Sequence, residues 1–247
     1  MIRTFIKKIT HPFLKFFTEN YFNKTRNYTY KNITVKVVPS VFPPHYTIST
    51  KILLDYISSL DLKEKTLLEL GCGSGIISLF AASKNATVTA SDINKNALNA
   101  LKTAADYNKL NLTILYSDLF QKLQKSPFDV IIINPPYYPK NPKNIKENAW
   151  FCGEDFEYFK NLFCQLDTRE DKLVLIILSQ DCDLEKIKNI ADTHNIKLEC
   201  VLEKKVLAEN NFIFSIKKPQ LKLKVFLYCI YFDNYLLKYI LRLEYKL

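Results

Sequence analysis

Three of the four glycines in this 247-residue chain fall within five positions, at Gly71, Gly73 and Gly75. An average protein of this length contains about seventeen glycines, so their concentration here indicates a special backbone. The preceding residues 66–70 predict a buried strand, and residues 74–83 predict a helix. Bare backbone and free N–H groups at a helix start can meet polar or anionic atoms. The sequence therefore predicts a ligand loop between a strand and a helix.

Short apolar runs alternate with amphipathic segments from residue 66 to residue 216, and this rhythm predicts the fold. Strands are expected at 66–70, 87–91, 112–116, 129–133 and 173–178, with a final pair at 197–205 and 211–216. Helices are expected at 74–83, 94–108, 155–166 and 185–194. The order predicts an α/β fold with a doubly wound, seven-stranded, mostly parallel sheet that ends in an antiparallel strand pair. Ligands of such sheets bind at the carboxyl ends of the strands, near the topological switch point.

The glycine spacing excludes two nucleotide-binding loops. A dinucleotide fingerprint requires a third glycine where this chain has Ile76, and a Walker A loop requires Gly-Lys-Ser/Thr, which is absent from the sequence. A nicotinamide-dependent dehydrogenase is therefore a distant alternative. The pattern that remains is E-x-G-x-G-x-G, beginning at Glu69, and its alternative interpretation is a purely structural glycine turn.

Two acids follow the next strands. Asp92 ends the second predicted strand, where a carboxylate can accept both hydroxyls of a ribose. The same side chain could instead cap the helix that begins at Asn94. Asp118 follows the third strand, in Ser117-Asp118-Leu119, where it is either a ligand contact or an ordinary loop acid.

The fourth strand ends in Asn134-Pro135-Pro136-Tyr137. An amide or exocyclic amine is a poor nucleophile because its lone pair is delocalised. The Asn134 oxygen and the Pro135 carbonyl can accept both of its N–H hydrogens and aim the nitrogen at a donor. The two prolines make the turn rigid, and Tyr137 offers a face for stacking. A proline-rich structural turn is the alternative.

Together these motifs resemble the class I S-adenosylmethionine-dependent methyltransferases that methylate planar NH₂ groups, such as release-factor glutamine, adenine N6, cytosine N4 or guanine N2. The resemblance implies a Rossmann-like methyltransferase fold, S-adenosyl-L-methionine as cofactor, and no metal. It assigns catalysis to Asn134, Pro135, Pro136 and Tyr137. It implies a cofactor site formed by Phe42, Thr47, Glu69, Gly71, Gly73, Gly75, Asp92, Ile93, Asp118, Leu119 and Asn134.

The resemblance covers residues 39–216. Residues 39–54 are similar to the segment that covers the cofactor, with Phe42 near the adenine and Thr47 or Ser49/Thr50 near the methionine end. The loop at 149–155 is similar to the one that follows this motif in glutamine methyltransferases, although Cys152 replaces one of its glycines. Gly153 lies in this loop, so all four glycines are expected to line or support one site.

The ends carry most of the net charge of +10: residues 1–40 have eight Lys or Arg and one acid, and residues 217–247 have seven and two. We expect a basic aromatic arm at 1–40, a methyltransferase domain at 41–216 and a basic amphipathic tail at 217–247. The substrate is expected to be a release-factor-like protein or RNA, with the basic ends contacting nucleic acid in the second case. A cofactor-binding module on a membrane surface is a further alternative. No secretory signal or transmembrane run is recognised, and scattered cysteines indicate a reduced, cytoplasmic protein.

Overall fold

The computed structural model describes residues 24–39, 41–45, 47–206 and 209–218. Residues 1–23 of the expected arm and nearly all of the expected tail lie outside the described residues, so their roles stay predictions. Within the described ranges, no helix has both the length and the apolar character needed to cross a membrane.

A hairpin precedes the main fold. Its strands, β1 (Arg26–Tyr30) and β2 (Ile33–Val37), pair antiparallel. Every second residue of β2 is buried, and the hairpin joins the apolar core of the main sheet. The expected boundary at residue 41 is therefore wrong, because residues 26–37 belong to the folded domain. The alternating Ile33-Thr-Val-Lys-Val37 pattern was the sequence signal for this strand.

Seven strands form the main sheet, and their bounds agree closely with those expected. They are β3 (Thr66–Leu70), β4 (Thr87–Asp92), β5 (Thr113–Tyr116), β6 (Val130–Ile133), β7 (Leu173–Ser179), β8 (Lys197–Val206) and β9 (Glu209–Lys217). The order is β5-β4-β3-β6-β7-β9-β8, with β3 to β7 parallel and β9 antiparallel to both its neighbours. The predicted fold class is confirmed.

Five α-helices lie in the described ranges: α1 (Ile48–Ile57), α2 (Ile76–Ala82), α3 (Lys95–Asn108), α4 (Glu157–Asp167) and α5 (Leu184–Thr193). The last four begin and end within two residues of the expected positions. Helix α1 was not predicted as a helix, although it lies in the segment expected to cover the cofactor.

The sheet is covered on both faces. Alternate residues of β6 point to opposite sides, so Ile132 belongs to one apolar core and Ile131 and Ile133 belong to the other. Helices α1, α2 and α3 and the hairpin fill the first core, and α4 and α5 fill the second. Double coverage explains why β6 and β7 are continuously apolar, as central parallel strands are.

The switch point lies between β3 and β6. The chain runs outward from β3 through β4 to β5, then returns to the other side of β3 as β6. Leu70 pairs with Ile133, so the glycine loop and Asn134 leave the sheet at neighbouring positions. This register brings the two strongest sequence motifs to one edge of the sheet, where ligands of doubly wound folds bind.

Candidate functional site

A cavity of about 430 Å³ lies at this edge. Small-ligand pockets are typically about 300–1,000 Å³, so it is large enough for a nucleoside-sized molecule with a side arm. Its walls come from the loop after β3, the ends of β4, β5 and β6, and two covering segments: the cover segment (residues 41–45) and the flap (residues 138–153).

The loop after β3 supplies bare backbone to the cavity. The N–H groups of Gly71 and Cys72 both donate to the Ser91 carbonyl at 2.9 Å, which ties the loop to β4. Gly71 has a φ of +75°, and a Cβ built there would meet no atom within 4 Å. The backbone is thus held open toward a ligand, as the sequence predicted.

Gly75 differs from Gly71 in what surrounds it. It is absent from the described lining of the cavity, and a Cβ built on it would lie 2.3 Å from Leu101 Cδ1. Its φ of +70° opens α2, while Leu101 is fully buried on α3. In this arrangement Gly75 supports the site by leaving room for Leu101 of α3 beside the start of α2, and its direct contact with the cofactor stays a prediction.

Asp92 braces the glycine loop at the cavity wall. One carboxylate oxygen accepts the Gly73 N–H and the other accepts the Asn94 N–H, each at 2.8 Å. Burial raises the pKa of Asp92, while these backbone donors oppose the rise. The helix-cap alternative is wrong, because the Asn94 side chain caps α3 by accepting the N–H groups of Asn96 and Ala97. A carboxylate accepts about four hydrogen bonds, so Asp92 keeps capacity for a ligand.

The adjoining wall comes from the ends of β4 and β5. Ile93, Asp118 and Leu119 all line the cavity, as expected. Asp118 is exposed, and the Ser117 hydroxyl donates to the Leu119 carbonyl at 2.8 Å, which fixes the turn that carries it.

Glu69 lies on the opposite side of the loop and also lines the cavity. Its carboxylate accepts both the N–H and the hydroxyl of Ser78 on α2. Only 5% of Glu69 is exposed, and this burial raises its pKa to about 8. The side chain therefore both braces the start of α2 and holds a proton that a cationic ligand would displace.

Asn134 leaves β6 beside the glycine loop and lines the cavity. Its side-chain nitrogen donates to the hydroxyls of Ser49 at 3.3 Å and Thr50 at 3.4 Å, both in the first turn of α1. With the nitrogen held there, the amide oxygen is left to accept a hydrogen bond, which is the role that the sequence predicted.

The other residues of the motif lie partly inside and partly outside the cavity lining. Pro136 lines the cavity, whereas Pro135 is buried outside its lining. Tyr137 also lies outside the lining: its ring packs on Tyr138 at 4.7 Å and against the second apolar core. Burial raises the pKa of Tyr137. In this arrangement Tyr137 supports the turn from outside the cavity, and its role as a stacking face stays a prediction.

The cover segment lies over the glycine loop. A Cβ built on Gly73 would lie 3.8 Å from Val41 and 4.0 Å from Phe42. Phe42 lines the cavity, and its ring contacts that of Trp150 in the flap at 4.7 Å. Thr47 does not line the cavity, because its hydroxyl faces Pro43 and Thr50 at the start of α1. Thr50 takes its expected place in the wall.

The flap supplies lining residues that sequence reasoning missed, namely Asn141, Pro142, Ile145 and Asn148, together with Tyr158 on α4. The flap closes on itself: Tyr138 N–H donates to the Trp150 carbonyl and Cys152 N–H to the Tyr138 carbonyl, each at 3.0 Å. Gly153 also lines the cavity, as expected. Polar flap residues resemble any loop in sequence, so only their position between the motif and α4 could have indicated them.

Comparison with known proteins identifies the domain. Residues 32–150 match the family model described as "Methyltransferase small domain". These residues are therefore similar to a methyltransferase small domain. The match ends within the flap and includes the glycine loop, Asp92, Asp118 and Asn134.

Relatives of this segment are named for two kinds of activity. The release factor glutamine methyltransferase of Lactococcus lactis is 37% identical over 111 residues, which are 44% of this chain and 40% of that protein. The ribosomal RNA small subunit methyltransferase C of Buchnera aphidicola is 34% identical over 151 residues, which are 59% of this chain and 44% of that protein. The chain thus spans less than half the length of these two relatives.

A solved structure supports the fold of the methyltransferase domain. The 16S rRNA N2 G1207 methyltransferase of T. thermophilus, in complex with AdoMet and guanosine, aligns with a TM-score of 0.57 at 16% identity, covering 79% of this chain and 50% of that chain. In the described ranges, no three His, Cys, Asp or Glu residues are grouped as metal ligands.

Proposed function

We propose that this chain is an S-adenosylmethionine-dependent N-methyltransferase that acts on a planar amino group. The observation that carries the proposal is the placement of Asn134: it shares one cavity with the glycine loop, and its amide nitrogen is held by Ser49 and Thr50. A cofactor loop and an amide-oxygen acceptor therefore line a single pocket.

The residues of the cavity suit this cofactor. The bare backbone at Gly71 leaves room for a ligand, and Asp92 keeps hydrogen-bond capacity for ribose hydroxyls. Burial raises the pKa of Glu69 to about 8, and a cationic ligand beside it would favour its ionised form and lower that pKa. S-adenosylmethionine, when bound, supplies an activated methyl group on a sulfonium.

Catalysis by this chain then consists of positioning. The Asn134 oxygen accepts one N–H hydrogen of the target. The Pro135 carbonyl, which lies in the chain between the lining residues Asn134 and Pro136, would accept the other, so that the nitrogen lone pair turns toward the methyl group. The prolines keep this turn rigid, and Tyr137 packs behind it. The flap and the cover segment limit access of water through the Phe42–Trp150 contact.

Calorimetric titration with S-adenosylhomocysteine tests the cofactor site. The wild-type chain should bind S-adenosylhomocysteine. Asp92→Ala should bind it at least tenfold more weakly, because a hydrogen bond to a charged group contributes about 1.5–3 kcal/mol. Asp106→Ala, at an exposed position of α3, is the matched control. Asn134→Ala should retain binding and lose methyl transfer, with Asn99→Ala as its control. A folded wild-type protein that does not bind would refute the proposal.

The substrate classes are a protein glutamine amide and an exocyclic base amine. One relative is named a release factor glutamine methyltransferase and the other a ribosomal RNA methyltransferase. The flap after the Asn134 motif resembles that of glutamine methyltransferases. Transfer of a tritiated methyl group to a cell extract, followed by ribonuclease or protease, distinguishes them. Label that survives ribonuclease but not protease selects the protein class; the reverse selects RNA, and no label in either fraction contradicts both.

If the substrate is RNA, we propose that the basic ends contact its phosphates. Those ends carry 15 of the 35 Lys and Arg residues, so transfer to RNA should fall steeply with salt if they bind phosphates. We also propose a cytoplasmic location, supported by five free cysteines in the described ranges. A chain purified from cells with these thiols oxidised would contradict it.

A further inference from the structure

Tyr158 lies in the first turn of α4, at the far side of the flap. Its backbone N–H donates to the Cys152 carbonyl at 2.9 Å, so the end of the flap fixes its position. Its neighbours Phe159 and Phe163 are fully buried in the second core. Tyr158 instead lines the cavity, in the same wall as Asp92 and Asp118.

The hydroxyl of Tyr158 has no hydrogen-bond partner among the described residues. Burial raises its pKa, and the negative charges of Asp92 and Asp118 raise it further. The phenol therefore keeps its proton at neutral pH, and a neutral phenol both donates and accepts. The hydroxyl is therefore available to a ligand in the cavity.

Tyr158 adds a hydrogen-bond donor to a wall in which the two acids supply acceptors. The carboxylates of Asp92 and Asp118 only accept when ionised, so they recognise the hydroxyls and the amino group of an adenosine. They cannot recognise its acceptor atoms, which are the ring nitrogens and the ribose oxygen.

We propose that the Tyr158 hydroxyl is a positioning group for the adenosine half of the cofactor, and that it donates a hydrogen bond to an acceptor atom there. This inference rests on the proposed function. It assigns α4 a role in cofactor binding that is separate from packing the sheet. Because the flap joins the Asn134 motif to Tyr158, one continuous segment would contribute both to the acceptor motif and to cofactor binding.

The test uses Tyr158→Phe in the full chain, which removes the hydroxyl and keeps the ring. Calorimetry with S-adenosylhomocysteine and with 5′-methylthioadenosine, which lacks the amino-acid half, should show about five- to tenfold weaker binding of both ligands, as expected for one neutral hydrogen bond. The urea midpoint should not change, since the hydroxyl has no described protein partner. Tyr107→Phe is the matched control, because Tyr107 is 75% exposed and outside the described lining.

The outcomes are distinct. If wild type binds both ligands and Tyr158→Phe binds them equally well, the inference is overturned and the proposed function stands. If the variant weakens S-adenosylhomocysteine but not 5′-methylthioadenosine, the hydroxyl acts on the amino-acid half and the adenosine assignment is wrong. A folded wild type that binds neither ligand overturns the proposed function and this inference with it.

Discussion

Replacing Gly75 with alanine tests whether this glycine supports the site through packing. The left-handed backbone at φ +70° costs an alanine about 1–2 kcal/mol. The new methyl would also lie 2.3 Å from Leu101 Cδ1 and 2.9 Å from its Cγ. Leu101 is fully buried, and overpacking a core costs about 1–3 kcal/mol. The variant should therefore lose about 2–5 kcal/mol of unfolding free energy, a large share of the roughly 5–15 kcal/mol of a typical domain.

Gly71→Ala is the matched comparison in the same loop. Its φ of +75° imposes a similar backbone cost, but the new methyl would meet no atom within 4 Å. We expect a loss of about 1–2 kcal/mol from strain alone. Because Gly71 lines the cavity and Gly75 does not, Gly71→Ala should weaken S-adenosylhomocysteine binding, whereas folded Gly75→Ala should bind nearly normally.

Urea unfolding at equilibrium measures both variants, with the single tryptophan, Trp150, and circular dichroism as probes. Leu101→Ala completes a double-mutant cycle. Truncation of this leucine costs about 2–5 kcal/mol by itself, but it removes the atoms that an alanine at 75 would strike. The double variant should be less destabilised than the sum by about 1–3 kcal/mol. Equal losses of unfolding free energy in Gly71→Ala and Gly75→Ala would refute the packing argument. So would a Gly75→Ala/Leu101→Ala double variant whose loss equals the sum of the two single losses.

Three further predictions concern polar and aromatic groups of the cavity. Burial raises the folded pKa of Glu69 to about 8 from an ordinary 4.5, so the stability that its extra proton provides is present at low pH and is lost as the pH rises through this interval. The urea midpoint of the wild type should be lower at pH 8.5 than at pH 5.5, and that of Glu69→Gln should change much less. An equal decrease in the two proteins would contradict this origin. Ser49→Ala should lower kcat severalfold and leave the affinity for S-adenosylhomocysteine unchanged, because the Asn134 amide loses one of its hydrogen-bond acceptors. Ser59→Ala is the control, and an equal kcat in the two variants would contradict this role of Ser49. Binding of S-adenosylhomocysteine should change the fluorescence of Trp150, and Phe42→Ala should weaken this binding about two- to tenfold. An unchanged spectrum and an unchanged affinity would show that this ring pair does not contact the cofactor.

The sequence predicted the parallel core because apolar runs between glycine, helix and strand signals are local features. The buried β6 and β7 and the amphipathic α3 carry strong periodicity, and each lies where it was expected. The cofactor loop and Asn134 could be placed together as well, because parallel strands deliver their carboxyl ends to one edge. The confirmed part of the prediction thus rests on short-range pattern and topology.

The parts that were missed depend on contacts between distant segments. Gly75 has the spacing of a ligand glycine, and only the position of Leu101 on α3 reveals that it packs against a helix. Tyr137 stands beside the acceptor motif in sequence, but its ring turns to Tyr138 and away from the cavity. Tyr158 looks like part of an apolar helix face, and only the approach of α4 to Asp92 and Asp118 brings it to the wall.

The polar groups of the site share one property that sequence spacing does not show. Asp92 uses two lone pairs on Gly73 and Asn94, and Asn134 uses its nitrogen on Ser49 and Thr50. Each is therefore held in place by protein contacts that leave other atoms of the same group available. A site held in this way loses little side-chain freedom when its ligand binds, so more of the interaction energy remains for affinity. The structural and functional interpretations of these residues are for this reason not alternatives, since bracing the loop is what aims its acceptors at the ligand.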